Sequence, residues 1–151
     1  MIRVADLSEI DKVFEITQHT IDTVYPKYYP LGAVNFFKAH HKRENIEKDI
    51  EKGIVFLYIA DTKAVGTVTI RDSEILRLFV LPEYQKKGYG RELLDFAESK
   101  AFEKHSEIII DASLPAKSIY LKRGYKETQY NRIPTDNGDY LCYDVMKKVS
   151  K

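Results

Sequence analysis

The chain has 151 residues and a mass of 17.6 kDa, which is the size of one domain. Its 24 basic and 23 acidic side chains nearly cancel, which argues against nucleic-acid binding through overall charge. The single cysteine, Cys142, excludes an internal disulfide and fits a reducing compartment. The longest apolar run, residues 54–60, is too short to span a membrane, and the charged N-terminal residues are unlike a signal peptide. We expect one cytoplasmic domain over residues 1–151, monomeric or homodimeric, with no membrane or nucleic-acid partner.

The first third of the chain reads as one short strand followed by helices. Asp6 and Glu9 form a capping-box pattern in front of apolar residues at helical spacing. Pro26 and Pro30 interrupt this pattern, and Gly53 is suited to end the last helix. The predicted elements are a strand at 2–5, a helix after Asp6, a helix at 33–41 and a helix that ends before Gly53.

The rest of the chain alternates strands with two further helices. Continuous or alternating apolar runs predict the strands, and glycine, proline and aspartate mark the turns between them. Ser113 is interpreted as the cap of the second helix, with Pro115 in its first turn. The predicted strands are 54–60, 64–71, 74–81, 108–110, 125–132 and 140–149, and the helices are 91–104 and 113–123. Hairpins combined with crossovers predict an α/β (mixed α+β) fold, with a mixed sheet and helices on both faces.

The most informative stretch is a glycine-containing loop between a predicted strand and a predicted helix. It reads Gln85-Lys-Lys-Gly88-Tyr-Gly90-Arg91. Glycines let the backbone approach a ligand and aim several amides at one point, and the following helix adds its own free amides. Three basic side chains and no acidic one lie in these seven residues. The loop therefore favours an anion, and phosphate above all.

Two motifs together resemble a known family. Gln-x-x-Gly-x-Gly after a strand that ends Leu-Phe-Val-Leu-Pro is similar to the acetyl-coenzyme-A motif of the GCN5-related N-acetyltransferase (GNAT) family. The stretch from Ser113 to Tyr125 resembles the family's second signature, with Ser113 in place of asparagine and with Ile119 and Tyr125 in place of phenylalanine. The resemblance implies a largely antiparallel sheet of about seven strands with a splay between the fourth and fifth. It also implies acetyl-coenzyme A as co-substrate.

Several cofactor contacts follow from the resemblance. The loop amides would hold the pyrophosphate, the backbone of Phe79 and Val80 would pair with the pantetheine arm, and the Val80 amide would polarise the thioester carbonyl. One of Lys86, Lys87 and Lys122 would meet the remaining phosphate. The cofactor-binding residues implied are Phe79, Val80, Gln85, Lys86, Lys87, Gly88, Tyr89, Gly90, Arg91, Ser113 and Tyr120.

The resemblance also implies two catalytic residues for direct attack of an amine on the thioester. Tyr120 would protonate the departing thiolate, and Glu74 would take the proton from the amine, although a water chain remains an alternative base. The acceptor site is expected around Tyr25, Tyr29 and Phe37, because aromatic rings attract cations. A small-molecule amine is favoured over a protein. No metal is expected, since the adjacent His40 and His41 diverge on a helix.

Two other classes of function stay open at this point. A non-catalytic acyl-coenzyme-A-binding or regulatory domain would share the fold and the loop. A nucleotide-binding α/β domain would also use a glycine loop for phosphate. Amine-dependent release of thiol distinguishes the enzyme from the first alternative, and a preference for ATP over coenzyme A would support the second.

Overall fold

The computed structural model describes residues 1–151 and contains seven strands. The strands are β1 (Ile2–Val4), β2 (Val55–Ala60), β3 (Lys63–Arg71), β4 (Glu74–Val80), β5 (Glu107–Ala112), β6 (Lys126–Pro134) and β7 (Tyr140–Val149). They form one sheet in the order β1-β2-β3-β4-β5-β7-β6. Every neighbouring pair is antiparallel except β4 and β5, which are parallel. This arrangement confirms the expected mixed, largely antiparallel sheet.

Five α-helices cover the two faces of the sheet. They are α1 (Ile10–Val24), α2 (Leu31–His40), α3 (Arg43–Glu51), α4 (Tyr89–Phe102) and α5 (Lys117–Lys122). One buried cluster joins α1, α2 and α3 to the sheet, and a second joins α4 and α5 to the opposite face. Helices therefore lie on both faces, as predicted. None of them combines the length and the apolarity needed to cross a bilayer.

Local sequence signals explain most of the element ends. The capping box is present: the Asp6 side chain accepts from the Ser8 amide, and Glu9 accepts from the Asp6 amide. It caps a short 3₁₀ turn, Leu7–Glu9, so that α1 begins at Ile10. Gly53 follows α3 with a φ of +72°, the left-handed conformation expected of a terminating glycine.

The helix predicted from Ser113 begins later than expected. α5 starts at Lys117, and no side chain caps it. The Ser113 carbonyl accepts from the amides of Ala116 and Lys117, so the intervening residues form a turn. Pro115 explains the difference, because a proline disfavours helical geometry at the residue before it. Ser113 is thus a loop residue at the end of β5 and not a helix cap.

A β-bulge in β4 reverses the direction of its side chains. Thr67 pairs with Phe79 and Thr69 pairs with Leu76, so two residues of β4 oppose one residue of β3. Arg77, one of these two, has a φ of +50°. In a regular strand Ile75 and Phe79 would share a face. Here Ile75 packs with α4, whereas Phe79 packs with α1 and α2.

Candidate active site

The site lies in a gap where β4 and β5 separate. These strands pair only at the start of β4, where Glu74 is opposite Ile109 and the Ile109 amide donates to the Ser73 carbonyl at 2.9 Å. Beyond this point β5 pairs only with β7. The edge of β4 that faces β5 therefore has no strand partner from Ile75 to Val80. Such an edge presents unpaired backbone groups to a ligand.

The glycine loop follows β4 through a short 3₁₀ turn. The Gln85 side chain donates to the Val80 carbonyl at 2.9 Å and so ties the loop to the end of the strand. Lys86 and Gly88 both have positive φ, +64° and +92°, and Gly88 stands immediately before α4. Alternating backbone conformations of this kind turn successive amides toward the same side. Gln85 therefore has a structural role as well, because its side chain fixes the loop to the end of β4.

Six consecutive backbone amides, Lys86 to Arg91, donate to no group of the protein. The next amide, Glu92, donates to the Gly88 carbonyl at 3.0 Å and closes the first turn of α4. The free amides therefore belong to the loop and to the first turn of the helix, where the helix dipole is positive. This set of donors fits a pyrophosphate.

The side chains around these amides are basic or aromatic. Lys86, Lys87 and Arg91 are exposed, as is Lys122 on α5. The Tyr89 ring packs 4.8 Å from the Tyr58 ring, which anchors the start of α4 to the sheet. The loop thus combines a positive electrostatic potential with a backbone that is anchored to the sheet.

A cavity of about 330 Å³ opens beside the gap. Its walls come from the segment before α2, from α2, from β4 and β5, and from α5 and the β6–β7 hairpin. Of the predicted site residues, six line it: Tyr25, Phe37, Glu74, Phe79, Ser113 and Tyr120. The gap therefore brings both predicted catalytic residues into one space. No three histidine, cysteine, aspartate or glutamate side chains lie close enough together to hold a metal ion.

Tyr120 lies on α5 and is buried, with 6% of its surface exposed. Its ring packs 5.6 Å from that of Tyr125. Burial, reinforced by the nearby Tyr25, raises the pKa of its hydroxyl above the ordinary value. The hydroxyl makes no hydrogen bond to the protein and is not sealed from solvent. It is therefore a protonated donor available to a ligand in the cavity.

Glu74 is half-buried at the first position of β4, opposite Arg71 on β3. Burial, and then the negative charge of Asp111, raise the pKa of its carboxyl group, while Arg71 opposes the shift. Asp111 is an exposed residue of β5 on the rim of the same cavity, and partial desolvation raises its pKa as well. Two carboxylates thus face one opening, and each is a better base than in water. The sequence had singled out only Glu74.

The predicted acceptor residues divide into two groups. Tyr25 and Phe37 line the cavity and pack edge to face at 4.8 Å. Tyr29 does not line it; its hydroxyl accepts from the Leu114 amide at 2.6 Å and fastens the segment before α2 to the loop after β5. Burial raises the pKa of Tyr25 to about 12, although the nearby Ser113 hydroxyl opposes the shift. The structure assigns Tyr29 to the scaffold behind the cavity wall.

A buried ionic network under the bulge was not found from the sequence. The Arg77 side chain, 3% exposed, lies 3.0 Å from Asp49 Oδ2 and donates to Thr69 Oγ1 at 3.0 Å. It also donates to His41 Nδ1 at 3.3 Å. Arg71 meets the other oxygen of Asp49 at 2.9 Å. A single arginine in an apolar strand is the only sequence signal for this network, because the bulge decides which way it points.

The chain matches a known protein family and a curated relative in sequence. The family model of the acetyltransferase (GNAT) domain matches residues 24–139. The uncharacterized N-acetyltransferase YafP of Escherichia coli (strain K12) is 28% identical over 87 residues, which are 58% of this chain and 55% of the relative. The match therefore spans about half the length of that curated relative.

Solved structures share the fold at low sequence identity. A GCN5-related N-acetyltransferase from Rhodopseudomonas palustris has a TM-score of 0.89 and 21% identity, over 99% of this chain and 94% of that one. YncA, a putative acetyltransferase from Salmonella typhimurium solved with its cofactor acetyl-CoA, has a TM-score of 0.75 and 19% identity, over 100% and 94%. The family match covers most of the chain, and the splayed sheet and glycine loop agree with it. The chain belongs to the GNAT acetyltransferase family.

Proposed function

We propose that this protein is an acetyl-coenzyme-A-dependent N-acetyltransferase that moves the acetyl group from the thioester to a primary amine. The observation that carries the proposal is the meeting of three features at one gap in the sheet. These are six free amides, an open edge of β4, and a cavity that holds Tyr120 and Glu74. The family membership supports acetyl transfer in general.

The loop supplies the binding site for the pyrophosphate of the donor. The amides from Lys86 to Arg91 and the positive end of α4 provide neutral donors and a favourable dipole. Lys86 and Lys87 are exposed in the loop and Lys122 is exposed on α5, and one of these meets the remaining phosphate of coenzyme A. Ser113 contributes a hydroxyl across the gap.

The open edge of β4 supplies the site for the pantetheine arm. The Leu81 amide donates to Val65 on β3 at 2.8 Å. Successive amides of a strand point to opposite sides, so the Val80 amide faces the gap. By the same alternation the Phe79 backbone groups face Thr67 on β3, so Val80 pairs with the arm and Phe79 lies beside it. The Val80 amide also stabilises negative charge on the thioester oxygen in the transition state.

Glu74 accepts the proton that the amine must lose. An alkylammonium group has a pKa of about 10.4, so freeing its lone pair at pH 7 costs about 4.6 kcal/mol. A base beside the reacting nitrogen lowers this cost, directly or through a water. The raised pKa of Glu74 strengthens it as a base, and its position on the cavity wall gives it access to the amine.

Tyr120 donates the proton that the leaving sulfur needs. The neutral amine nitrogen bonds to the carbonyl carbon, the carbon–sulfur bond breaks, and the thiolate takes the phenolic proton. The second proton that the nitrogen loses on forming the amide then restores the Tyr120 phenol through water. A tyrosine hydroxyl is protonated at neutral pH at its ordinary pKa of about 10, and burial raises the pKa of Tyr120 further. It makes no competing hydrogen bond to the protein.

The acceptor is a small molecule with a cationic amine. A cavity of about 330 Å³ is within the usual range for small-molecule sites. Carboxylates at the rim and aromatic rings such as Tyr25 and Phe37 attract an ammonium group.

Release of thiol from acetyl-coenzyme A, measured over a panel of amines, tests the proposal. We expect release that depends on the amine, together with mass-spectrometric detection of the acetylated amine. Binding of acetyl-coenzyme A without release on any amine would favour a regulatory domain. Tighter binding of ATP than of coenzyme A, measured by calorimetry, would contradict both readings.

A further inference from the structure

His41 has a place in the cavity wall that the proposed reaction does not use. It follows α2 directly, and 8% of its surface is exposed. Its ring contacts that of Phe79 edge to face at 5.7 Å and that of His40 at 5.1 Å. The imidazole is therefore held between aromatic neighbours and forms part of the cavity lining.

Arg77 determines which nitrogen of this ring carries the proton. A guanidinium group has only donors, so the Nδ1 atom that receives the Arg77 Nε–H at 3.3 Å must be an acceptor. The proton of the neutral ring then lies on Nε2. Arg77 cannot turn away easily, because Asp49 and Thr69 hold its other end at 3.0 Å each.

The ring also stays neutral. Burial, and then the positive charge of Arg77, lower the pKa of His41 to about 3. The charged groups that face it or line the same cavity are Arg77, Arg71, Glu74 and Asp111, with His40 beside it. At neutral pH the cavity wall therefore presents a fixed, uncharged N–H donor at this point.

The Nε2–H of His41 has no acceptor in the protein. No hydrogen bond from it occurs within the protein, and the atom is not sealed from solvent. A ligand that fills the cavity displaces water from this donor, and leaving the donor unpaired is costly, so a ligand that supplies an acceptor is favoured. The cavity is the space that the ring borders.

We propose that the acceptor carries, besides its primary amine, an oxygen that accepts a hydrogen bond from His41 Nε2. The class is an amino-acid derivative, amino amide or amino alcohol, in preference to a plain alkylamine or polyamine. The inference rests on the proposed acetyl transfer. His41 is a specificity-determining residue within it: the carboxylates of Glu74 and Asp111 attract the ammonium group, and His41 selects the oxygen.

Matched pairs of amines test the inference. β-Alaninamide and isoamylamine have the same shape, as do glycinamide and isobutylamine, but only the amides carry the oxygen. The measured quantity is the ratio of kcat/KM for the amide to kcat/KM for its hydrocarbon partner. His41→Asn keeps an acceptor for Arg77 but has no donor at the Nε2 position, whereas the amide of His41→Gln reaches that position.

We expect the ratio to fall about tenfold in His41→Asn, the loss of one hydrogen bond, and to be largely kept in His41→Gln. An unchanged ratio in a folded His41→Asn protein overturns the inference. Release of thiol from all amines with equal efficiency in the wild type overturns it too, but leaves the proposed acetyl transfer intact. No release with any amine contradicts the proposed transfer itself.

A measurement on the wild type is independent of how the variants fold. ¹⁵N NMR of the histidine rings shows which nitrogen carries the proton, and for His41 we expect Nε2. We expect the ¹⁵N resonance of His41 Nε2 to move when β-alaninamide is added with coenzyme A. Isoamylamine should leave it in place. A proton on Nδ1, or a resonance that neither amine moves, overturns the inference.

Discussion

The two sides of the gap between β4 and β5 are built in different ways. On the donor side, residues 85–91 are consecutive and offer mainly backbone amides. On the acceptor side, the cavity is assembled from side chains that are far apart in sequence, such as Tyr25, Glu74, Asp111 and Tyr120. The donor side should therefore tolerate many changes of side chain but few changes of backbone geometry. The acceptor side should behave in the opposite way.

The largest effect is expected on the acceptor side, from loss of the Tyr120 hydroxyl. Tyr120→Phe should lower kcat about 100-fold, the lower end of the contribution of a general acid, and leave the KM for acetyl-coenzyme A nearly unchanged. Steady-state kinetics with a good amine measures both constants.

Tyr125→Phe is the matched control. Tyr125 packs against Tyr120, but its hydroxyl donates to Glu98 at 3.0 Å, outside the cavity. The Tyr125→Phe substitution should lower the free energy of unfolding by about 1 kcal/mol and leave kcat unchanged. Equal losses of kcat in the two variants would remove Tyr120 as the acid.

The next effect tests the backbone of the donor side. Gly88→Ala places a side chain at a φ of +92°, which costs roughly 1–2 kcal/mol and displaces the amides of the loop. The KM for acetyl-coenzyme A should rise about tenfold, because several charge-assisted hydrogen bonds from the amides to the pyrophosphate are disturbed. The kcat at saturation should stay within a few-fold of the wild-type value.

Gly53→Ala separates strain from binding. Gly53 has a φ of +72°, with no atom within 4 Å of an added Cβ, and it lies at the end of α3 away from the loop. It should lower the melting temperature about as much as Gly88→Ala does, without a change in KM. A KM that rises equally in both variants would show that the loop has no special part in binding.

The smallest effect is a shift of the pH profile. The charge of Asp111 raises the pKa of Glu74, and Glu74 works as a base only above its own pKa. Asp111→Asn removes this repulsion, so the acidic limb of kcat should move to lower pH. The KM for the amine should rise a few-fold, since one attractive carboxylate is lost.

Glu107→Gln is the control for this shift. It removes one negative charge from the same strand, β5, where Glu107 pairs with Lys147 at 3.4 Å outside the cavity. The acidic limb should stay where it is. A limb that moves to higher pH in Asp111→Asn, or moves equally in both variants, contradicts the coupling of the two carboxylates.

The contrast between the two sides also explains what could be read from the sequence. The succession of strands and helices along the chain, the helices on both faces and the glycine loop depend on local patterns, and these predicted a mixed sheet. The antiparallel pairing and the splay were predicted only from the resemblance to the GNAT family. The loop was visible because its glycines and basic residues are consecutive. The start of α5 was misplaced, although Pro115 itself carried the signal against a helix at Leu114.

The roles of Asp111, His41 and Arg77 could not be found in this way. A regular period of two puts Arg77 on the same face as Ile75, and only the bulge turns it toward Asp49 and His41. The tyrosines before α2 posed a similar problem, since the same residue type lines the cavity at Tyr25 and supports it from behind at Tyr29. Such roles depend on packing between distant segments.

A crystal structure with coenzyme A and an acetylated amine tests the central claim most directly. The account predicts the pyrophosphate on the amides from Lys86 to Arg91 and the pantetheine arm along Phe79 and Val80. It further predicts the coenzyme A sulfur within hydrogen-bond distance of the Tyr120 hydroxyl. The acetylated amine should lie in the cavity beside Glu74. A pyrophosphate bound elsewhere, or a product outside the cavity, would contradict it.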